Sequence, residues 1–238
     1  MSVPILLIHG AWHGAWCWAR LIAELEARSR RAIAIDLPGA GDDVLPPEAM
    51  TLDLWTARIA ETLAGIGDKT ILVGHSMGGI AITAAAEAVP ERIERLVYLC
   101  AFLPQDGQSL ADIAGTFDSE RSLLRQAVSP DGKTVMPTPD STIAGLYADC
   151  PPEAAQAAMA RLRPLGLAPV GTKVHVTPDR FGRIPRVYIE CTEDRAIPIE
   201  AQRAMVAASP CERVVTMRTS HSPFLSAPAE LADILAYL

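Results

Sequence analysis

The 238-residue sequence lacks the features that mark several specialised classes of protein. No stretch approaches the roughly 20 apolar residues that a membrane-spanning helix needs, so we expect no membrane partner. Acidic residues outnumber basic ones, and the net charge of −7 argues against nucleic acid, because phosphate binding needs clustered Lys and Arg. The first residues lack the basic n-region of a secretory signal, and the five cysteines include no C-x-x-C pair. This cysteine pattern favours a reducing compartment, so we predict a cytoplasmic protein.

What the sequence does contain is an alternation of short apolar runs with longer amphipathic stretches. The apolar runs are continuous, as in strands buried on both faces, and lie at residues 3–8, 32–36, 70–73, 96–100, 186–191 and 213–217. Three amphipathic stretches, beginning at Trp18, Leu52 and Leu231, carry apolar residues at helical spacing. The alternation predicts an α/β protein with a mostly parallel sheet of about six strands and helices on both faces.

One long segment departs from this alternation. Residues 103–182 contain no convincing strand and are rich in Pro, Ala and polar residues, although residues 152–162 resemble a helix. About 80 residues without structure would be unusual inside a compact domain, so we interpret this segment as an inserted cap. The core would then consist of residues 1–102 and 183–238, with the cap over the active site.

Residues 74–79 carry the clearest chemical signal, with the sequence GHSMGG. They follow an apolar strand and precede an Ala-rich helical stretch. A nucleophile elbow needs this arrangement, because the serine sits in a strained strand-to-helix turn and flanking glycines let the two backbones pass. The pattern predicts Ser76 as the nucleophile of an α/β-hydrolase fold, at the sheet edge where ligands bind.

A serine nucleophile needs a base to accept its proton and an acid to orient that base. In this fold the acid and then the histidine follow later strands in chain order. Asp194 stands just after the fifth predicted strand, and His221 stands just after the sixth. Glu190, within the strand, and Glu193, one residue before Asp194, compete for the role of the acid. Position favours a triad of Ser76, Asp194 and His221.

The tetrahedral intermediate of acyl transfer also needs hydrogen-bond donors for its oxyanion. Met77 follows the nucleophile and offers a backbone N–H at a helix N-terminus. The second donor should come from the loop after the first strand, where Gly10 permits a tight turn. We assign it to the backbone N–H of Ala11.

The remaining motifs give no reason to expect a metal or a cofactor. His9 and His13 have the spacing of ligands on a helix, but they lie in a glycine-containing loop without an H-E-x-x-H motif. Residues 39–41 lack the third glycine of a dinucleotide-binding fingerprint, and no Walker loop is present. The predicted reaction needs neither group.

Five segments together resemble the plant methylesterase and hydroxynitrile lyase family of α/β-hydrolases, which has similar bacterial esterases. They are residues 9–16, 74–79, 146–153, 179–182 and 187–194, so the resemblance runs nearly from end to end. It implies the same site residues as the motifs: Ser76, Asp194 and His221 as the triad, with Ala11 and Met77 as oxyanion donors.

The two branches of that family perform different chemistry. The resemblance implies that a lyase carries a threonine at the position of Gly10 and a lysine directly after the catalytic histidine, where its charge stabilises departing cyanide. Here the residue after His221 is Ser222, so the cation is absent and ester hydrolysis is favoured. Two alternatives stay open: a hydroxynitrile lyase, and a small-molecule receptor that keeps the hydrolase fold.

The expected reaction is the hydrolysis of small hydrophobic or aromatic esters, since ligand pockets are mostly apolar. The resemblance adds methyl esters of aromatic acids as substrates and a homodimer as the assembly. Cap side chains could either line the pocket or pack inside the cap: Leu110, Ile113, Phe117, Leu123, Leu124 and Tyr147. The pocket residues that we predict are Gly10, Trp12, His13, His75, Phe102, Leu123 and Leu146.

Overall fold

The structure is a computed structural model that describes residues 2–117 and 121–238. Six strands form a fully parallel sheet in the order β2-β1-β3-β4-β8-β9. This sheet confirms the predicted α/β fold and its six strands. Their bounds are β1 Ile5–Ile8, β2 Ala32–Ile35, β3 Thr70–His75, β4 Ile93–Leu99, β8 Arg186–Cys191 and β9 Arg213–Met217.

Helices connect these strands and cover the sheet. The three amphipathic stretches form α1, α2 and α10, as predicted, and α1 packs against α10 while α2 packs against α3. Trp55, Ile59 and Leu63 of α2 are buried, which is the apolar face that the spacing indicated. No helix in the described part of the chain is long and apolar enough to cross a membrane. The helices around the sheet are α1 Ala19–Ala27, α2 Leu52–Ile66, α3 Gly78–Ala88, α8 Ile199–Ala208, α9 Pro223–Ser226 and α10 Pro228–Ala236.

Strand register decides which loops meet at the carboxyl edge of the sheet. Ile8, the last residue of β1, pairs with Gly74 near the end of β3. Cys191 and Met217, the last residues of β8 and β9, also pair with each other. Because all six strands are parallel, the loops that follow β1, β3, β8 and β9 emerge at the same edge.

The expectation that residues 103–182, called the cap below, contain no strand is wrong. Three short strands form a second, antiparallel sheet in the order β5-β6-β7: β5 Gln126–Val128, β6 Thr134–Pro137 and β7 Leu165–Gly166. All of β5 is exposed, so it lacks the apolar run that marks a buried strand. Two features form this sheet. One is the turn between β5 and β6, where Gly132 has a φ of 72°, and the other is the pairing of Val135 with Leu165.

Four α-helices accompany the small sheet in the described part of the cap. The predicted helix at 152–162 is confirmed as α6, although it ends earlier, at Met159. The short helix α4 begins with a capping box, in which Ser109 and Asp112 satisfy each other's backbone N–H groups. The bounds are α4 Leu110–Ala114, α5 Pro139–Leu146, α6 Pro152–Met159 and α7 Ala168–Gly171.

Candidate active site

Ser76 lies in the turn between β3 and α3 with a strained backbone. Its φ is 53°, in the left-handed region that residues other than glycine rarely adopt. The turn is fixed because the Ser76 amide donates to Leu99 O (3.2 Å) and the Ser76 carbonyl accepts from Phe102 N (3.1 Å). The hydroxyl is therefore held at the carboxyl edge of the sheet, as a nucleophile elbow requires.

The glycines around Ser76 are needed because backbone segments come very close there. A Cβ atom on Gly74 would lie 2.7 Å from the carbonyl oxygen of Gly78. A Cβ atom on Gly78 would lie 2.7 Å from His9 O and 2.8 Å from Ile8 O. Real Cβ atoms do not approach backbone oxygens so closely, so only glycine lets α3 start beside the end of β1.

The structure brings Ser76, His221 and Asp194 together in one hydrogen-bonded relay. Ser76 Oγ is 3.0 Å from His221 Nε2, and His221 Nδ1 is 2.7 Å from Asp194 Oδ2. The side chains of His221 and Asp194 are 2% and 0% exposed, so water hardly competes for these bonds. Since a carboxylate only accepts, Nδ1 carries the imidazole proton and Nε2 is left free to accept the proton of the serine.

The carboxylate of Asp194 is held by the loop that follows β8. Its Oδ1 accepts from the amides of Ala196 (2.7 Å) and Ile197 (2.9 Å), and its Oδ2 lies 3.3 Å from Gln202 Nε2. These donors fix the direction in which Oδ2 faces His221.

The two glutamates that compete for the acid role are occupied elsewhere. Glu190 forms two hydrogen bonds to Arg203, of 3.0 and 2.9 Å, and the pKa of its carboxyl is lowered mainly by that guanidinium. Glu193 bonds to Arg218 at the surface, at 2.7 Å. Both carboxylates bond to arginines, whereas Asp194 bonds to His221, so the geometry places Asp194 in the position of the acid.

Two residues with unbonded backbone amides line the same cavity as Ser76 and His221. Ala11 and Met77 both line this cavity, one in the loop after β1 and the other directly after the nucleophile. Within residues 2–117 and 121–238, no carbonyl or side chain accepts a hydrogen bond from either amide. Two free N–H donors beside a nucleophile form the arrangement that an oxyanion hole needs.

Three buried histidines surround the relay as neutral scaffold groups. Burial lowers the pKa of His9, His13 and His75, for His13 to about 3. Each ring is 2.7–2.8 Å from a backbone carbonyl, those of Gly10, Ala11 and His221 respectively. In particular, His75 Nε2 donates to the carbonyl of His221 and so fixes the backbone that carries the relay imidazole.

His75, Cys100 and His221 offer ligand atoms that lie within 4.8 Å of one another. This cluster is already used by the protein, because His75 Nε2 (2.8 Å) and Cys100 Sγ (3.5 Å) both approach the carbonyl oxygen of His221. The ring nitrogens of His221 bond to Ser76 and Asp194. Burial also raises the pKa of the Cys100 thiol, so it is a poor metal ligand.

A cavity of about 550 Å³ opens above Ser76, between the carboxyl edge of the sheet and the cap. Of the predicted pocket residues, Trp12 and Phe102 line it. The cap contributes most of the remaining wall through residues that are largely apolar. They are Leu110, Ala114, Phe117, Ser122, Leu124, Arg125, Gln126, Val135, Leu165, Leu167 and Val170, joined by Ala196 and Ile197 from the core.

Five predicted pocket residues do not line this cavity. Gly10 and His13 are part of the loop after β1, and the buried His75 is the last residue of β3. Leu146 is 1% exposed in the hydrophobic core, whereas Leu123 is 39% exposed and its neighbour Leu124 faces the cavity instead. Leu123 and Leu146 lie outside the cavity wall because the packing of the cap decides which way each side chain points.

Sequence reasoning also missed several lining residues. Leu165 and Val135 reach the cavity because β6 and β7 pair, and neither strand was predicted. Ala196 and Ile197 line it because the same loop holds Asp194 with its amides. Their position directly after the predicted acid was a usable signal. Of the cap side chains left open, Leu110, Phe117 and Leu124 line the cavity, whereas Ile113 and Tyr147 do not.

Comparisons with known proteins agree with this fold. A sequence model of the alpha/beta hydrolase family matches residues 5–234. Methylesterase 1 of Arabidopsis thaliana is 32% identical over 243 residues, which cover 96% of this chain and 92% of that protein. The solved pyrethroid hydrolase of Sphingobium faniae JZ-2 has a TM-score of 0.87 at 29% identity, covering 100% of this chain and 97% of that one.

Some relatives are longer than this chain. "Putative methylesterase 11, chloroplastic" of Arabidopsis thaliana is 33% identical over 242 residues, or 97% of this chain, which spans only 62% of that relative's length. The family match covers nearly the whole chain, and the similarity to Methylesterase 1 extends over both proteins. The chain therefore belongs to the alpha/beta hydrolase family and is related to the plant methylesterases.

Proposed function

We propose that this protein is a serine carboxylesterase. Ser76 Oγ attacks the ester carbonyl carbon while His221 Nε2 takes the hydroxyl proton, and the Ala11 and Met77 amides bind the resulting oxyanion. The carbon–oxygen bond to the alcohol then breaks, and His221 returns the proton to the departing alcohol. Water, deprotonated by His221, attacks the acyl-enzyme and releases the carboxylic acid and Ser76.

The observation that carries this proposal is the relay of 3.0 and 2.7 Å from Ser76 through His221 to Asp194. The relay ends at Ser76, which lines a cavity together with Ala11 and Met77, the two residues with free backbone amides. A nucleophile, an oriented base and oxyanion donors around one reacting position are the parts that acyl transfer needs. The names of the relatives support the same reaction, since they include methylesterases and a pyrethroid hydrolase.

The proposed substrates are hydrophobic or aromatic esters, including methyl esters. The largely apolar wall of the cavity supports this class, and a volume of about 550 Å³ fits the range of small-molecule sites. The printed names of the plant relatives support methyl esters. A panel of esters that varies acyl size and alcohol size separately would identify the preferred substrate.

Replacing Ser76 with alanine tests the proposal directly. We expect kcat for p-nitrophenyl butyrate to fall by about 10⁴-fold or more, because the nucleophile cannot be replaced by water at that position. The fold should be retained, as checked by circular dichroism. Turnover that survives in a folded S76A variant would show that Ser76 is not the nucleophile.

The structure counts against the hydroxynitrile lyase alternative. A Cβ atom on Gly10 would lie 2.7 Å from His75 Nδ1 and 2.9 Å from Ser76 Cβ, so a threonine does not fit there without movement of His75. Ser222, directly after His221, supplies no cation for departing cyanide. The receptor alternative would be supported by tight ligand binding without turnover across the ester panel.

A cytoplasmic location and a homodimer stay predictions. All five cysteines are free, which supports a reducing compartment. Fractionation of the source cells and light scattering of the purified protein would test these two predictions separately.

A further inference from the structure

The loop after β1, residues 9–14, is called the β1 loop here, and it has a conformation that its own sequence does not favour. Trp12 has a φ of 65°, and a bulky aromatic residue in the left-handed region is a genuine outlier. Such strain persists only where the surrounding structure imposes it. The β1 loop carries the Ala11 amide, so whatever imposes its conformation also sets the position of that donor.

The cap imposes this conformation through three hydrogen bonds. Trp12 Nε1 donates to the carbonyl of Val135 (2.9 Å), and the amide of Arg163 donates to the carbonyl of Trp12 (3.0 Å). The third bond joins the hydroxyl of Tyr147 to His13 Nε2, at 2.7 Å. Val135, Tyr147 and Arg163 all belong to the cap, so the cap holds the β1 loop on both sides of Trp12.

The bond from Tyr147 continues to Ala11 with a fixed direction. His13 Nδ1 is 2.7 Å from the carbonyl oxygen of Ala11, and a carbonyl can only accept. Nδ1 therefore carries the proton, Nε2 is an acceptor, and the hydroxyl of Tyr147 donates to it. The chain of bonds runs from the cap through one imidazole to Ala11, which lines the cavity.

Burial keeps this chain in a single protonation state. It lowers the pKa of His13 to about 3 and raises the pKa of the Tyr147 phenol, so both side chains stay neutral near pH 7. The imidazole is also stacked on Trp16, at 5.4 Å between ring centroids, and meets Phe224 edge-on at 6.0 Å. Its proton and its ring plane are thus both fixed.

We propose that Tyr147 and His13 are positioning residues, through which the cap holds the Ala11 amide in the oxyanion hole. The inference rests on the proposed esterase function, because ester hydrolysis produces the oxyanion charge that this amide would bind in the transition state. Neither Tyr147 nor His13 lines the cavity, so neither touches the substrate. Their effect should therefore appear in the transition state and not in substrate binding.

The test is Tyr147→Phe, which removes one hydroxyl and keeps the ring. Losing a whole oxyanion donor costs about 10²–10³ in kcat, so we expect a misplaced donor to cost about 10-fold. KM for p-nitrophenyl butyrate should change by less than about twofold, since the cavity wall is intact. Affinity for a trifluoromethyl ketone, which forms a tetrahedral adduct with the serine, should weaken by the same factor as kcat.

Tyr98→Phe is the matched control. Its hydroxyl is also buried and lies 2.7 Å from Thr83 Oγ1, but it belongs to β4 and its hydrogen bond goes to α3, not to the β1 loop. Both variants lose one buried hydrogen bond and should lose a similar amount of thermal stability. Only Tyr147→Phe should lower kcat and weaken the affinity for the trifluoromethyl ketone.

Unchanged kcat and ketone affinity in a folded Tyr147→Phe variant would overturn the proposal, as would an equal loss of kcat in Tyr98→Phe. If Tyr147→Phe does not fold, ¹⁵N NMR of histidine-labelled wild-type protein decides, because the proposal requires neutral His13 with its proton on Nδ1. The opposite tautomer would overturn it. Failure of the esterase function is seen separately, as turnover that persists in S76A.

Discussion

At the scale of single residues, the chemistry of this protein depends on where protons are held. His221 presents a bare Nε2 to Ser76 only because Asp194 accepts the proton on Nδ1. Asp194 in turn is held by the amides of Ala196 and Ile197. The order of these bonds gives the imidazole one tautomer, and that tautomer is the one that can act as a base.

Replacing Asp194 with asparagine should disrupt this order without changing the shape of the site. The amide group would donate to Nδ1 and place the imidazole proton on Nε2, where it faces the serine. We expect kcat to fall by about 10⁴-fold near neutral pH with little change in KM. Steady-state kinetics on p-nitrophenyl butyrate would measure both quantities.

Glu193→Gln is the control for this prediction, since Glu193 bonds to Arg218 at the surface, next in sequence to Asp194. It should retain nearly all activity. A folded Asp194→Asn variant with near-normal kcat would mean that another carboxylate orients His221.

At the scale of secondary-structure elements, the close crossing of β1, β3 and α3 sets the position of Ser76. The start of α3 lies against the last residues of β1, with no room for a side chain at Gly78. The sequence GHSMGG allowed this crossing to be predicted, because glycine is the residue that such a close approach requires. The cap strands were missed for other reasons, since β5 is exposed and carries no apolar pattern, while β6 and β7 are only four and two residues long.

Gly78→Ala should destabilise the protein by about 2 kcal/mol or more, because its Cβ would lie 2.7 Å from His9 O and 2.8 Å from Ile8 O. These backbone oxygens can move only if the β1 loop moves, so activity should fall as well. Urea unfolding followed by circular dichroism would measure the stability change.

Gly65→Ala in α2 provides the opposite case. Nothing lies within 4 Å of a Cβ atom there, and the residue is an exposed helical glycine. This substitution should stabilise the protein by up to about 1 kcal/mol through the helix propensity of alanine. If both substitutions had the same effect, the steric account of the crossing would be wrong.

At the scale of the whole molecule, the site is assembled where the two layers of the protein meet. The core supplies the relay at the carboxyl edge of the sheet, and the cap supplies most of the cavity wall. His13 contacts the cap at this junction through Tyr147, and His9, His13 and His75 are all buried with lowered pKa values. Their burial links folding of the site to pH.

Acid should therefore unfold the protein at a higher pH than protonation of its carboxylates alone would. The usual histidine pKa is 6.5, so below pH 6.5 an unfolded histidine binds a proton, whereas the buried ring stays neutral. The stability from these rings is therefore complete above pH 6.5 and is lost as the pH falls. Each ring that stays neutral in the folded protein lowers the free energy of unfolding by up to about 1.4 kcal/mol per pH unit below pH 6. Urea titrations at successive pH values would measure this slope.

A His13→Gln variant should show a slope smaller by up to about 1.4 kcal/mol per pH unit, because the folded-state pKa of His13 is about 3. His175→Gln is the control, since this side chain is 78% exposed beside Asp106 and should leave the slope unchanged. A wild-type stability that is flat from pH 7 to pH 5 would contradict the prediction.

The sequence by itself determined the fold class, the six parallel strands and the positions of Ser76, Asp194 and His221 in chain order. Buried strands, amphipathic helices and a nucleophile elbow each leave a local pattern, because their burial or backbone strain restricts which residues are allowed. Only the tertiary structure decided the cavity wall, the exclusion of Glu190 and Glu193 from the relay, and the bond from Tyr147 to His13. Those features join residues that are distant in the chain, and their geometry depends on strand register and cap packing, which no local pattern records.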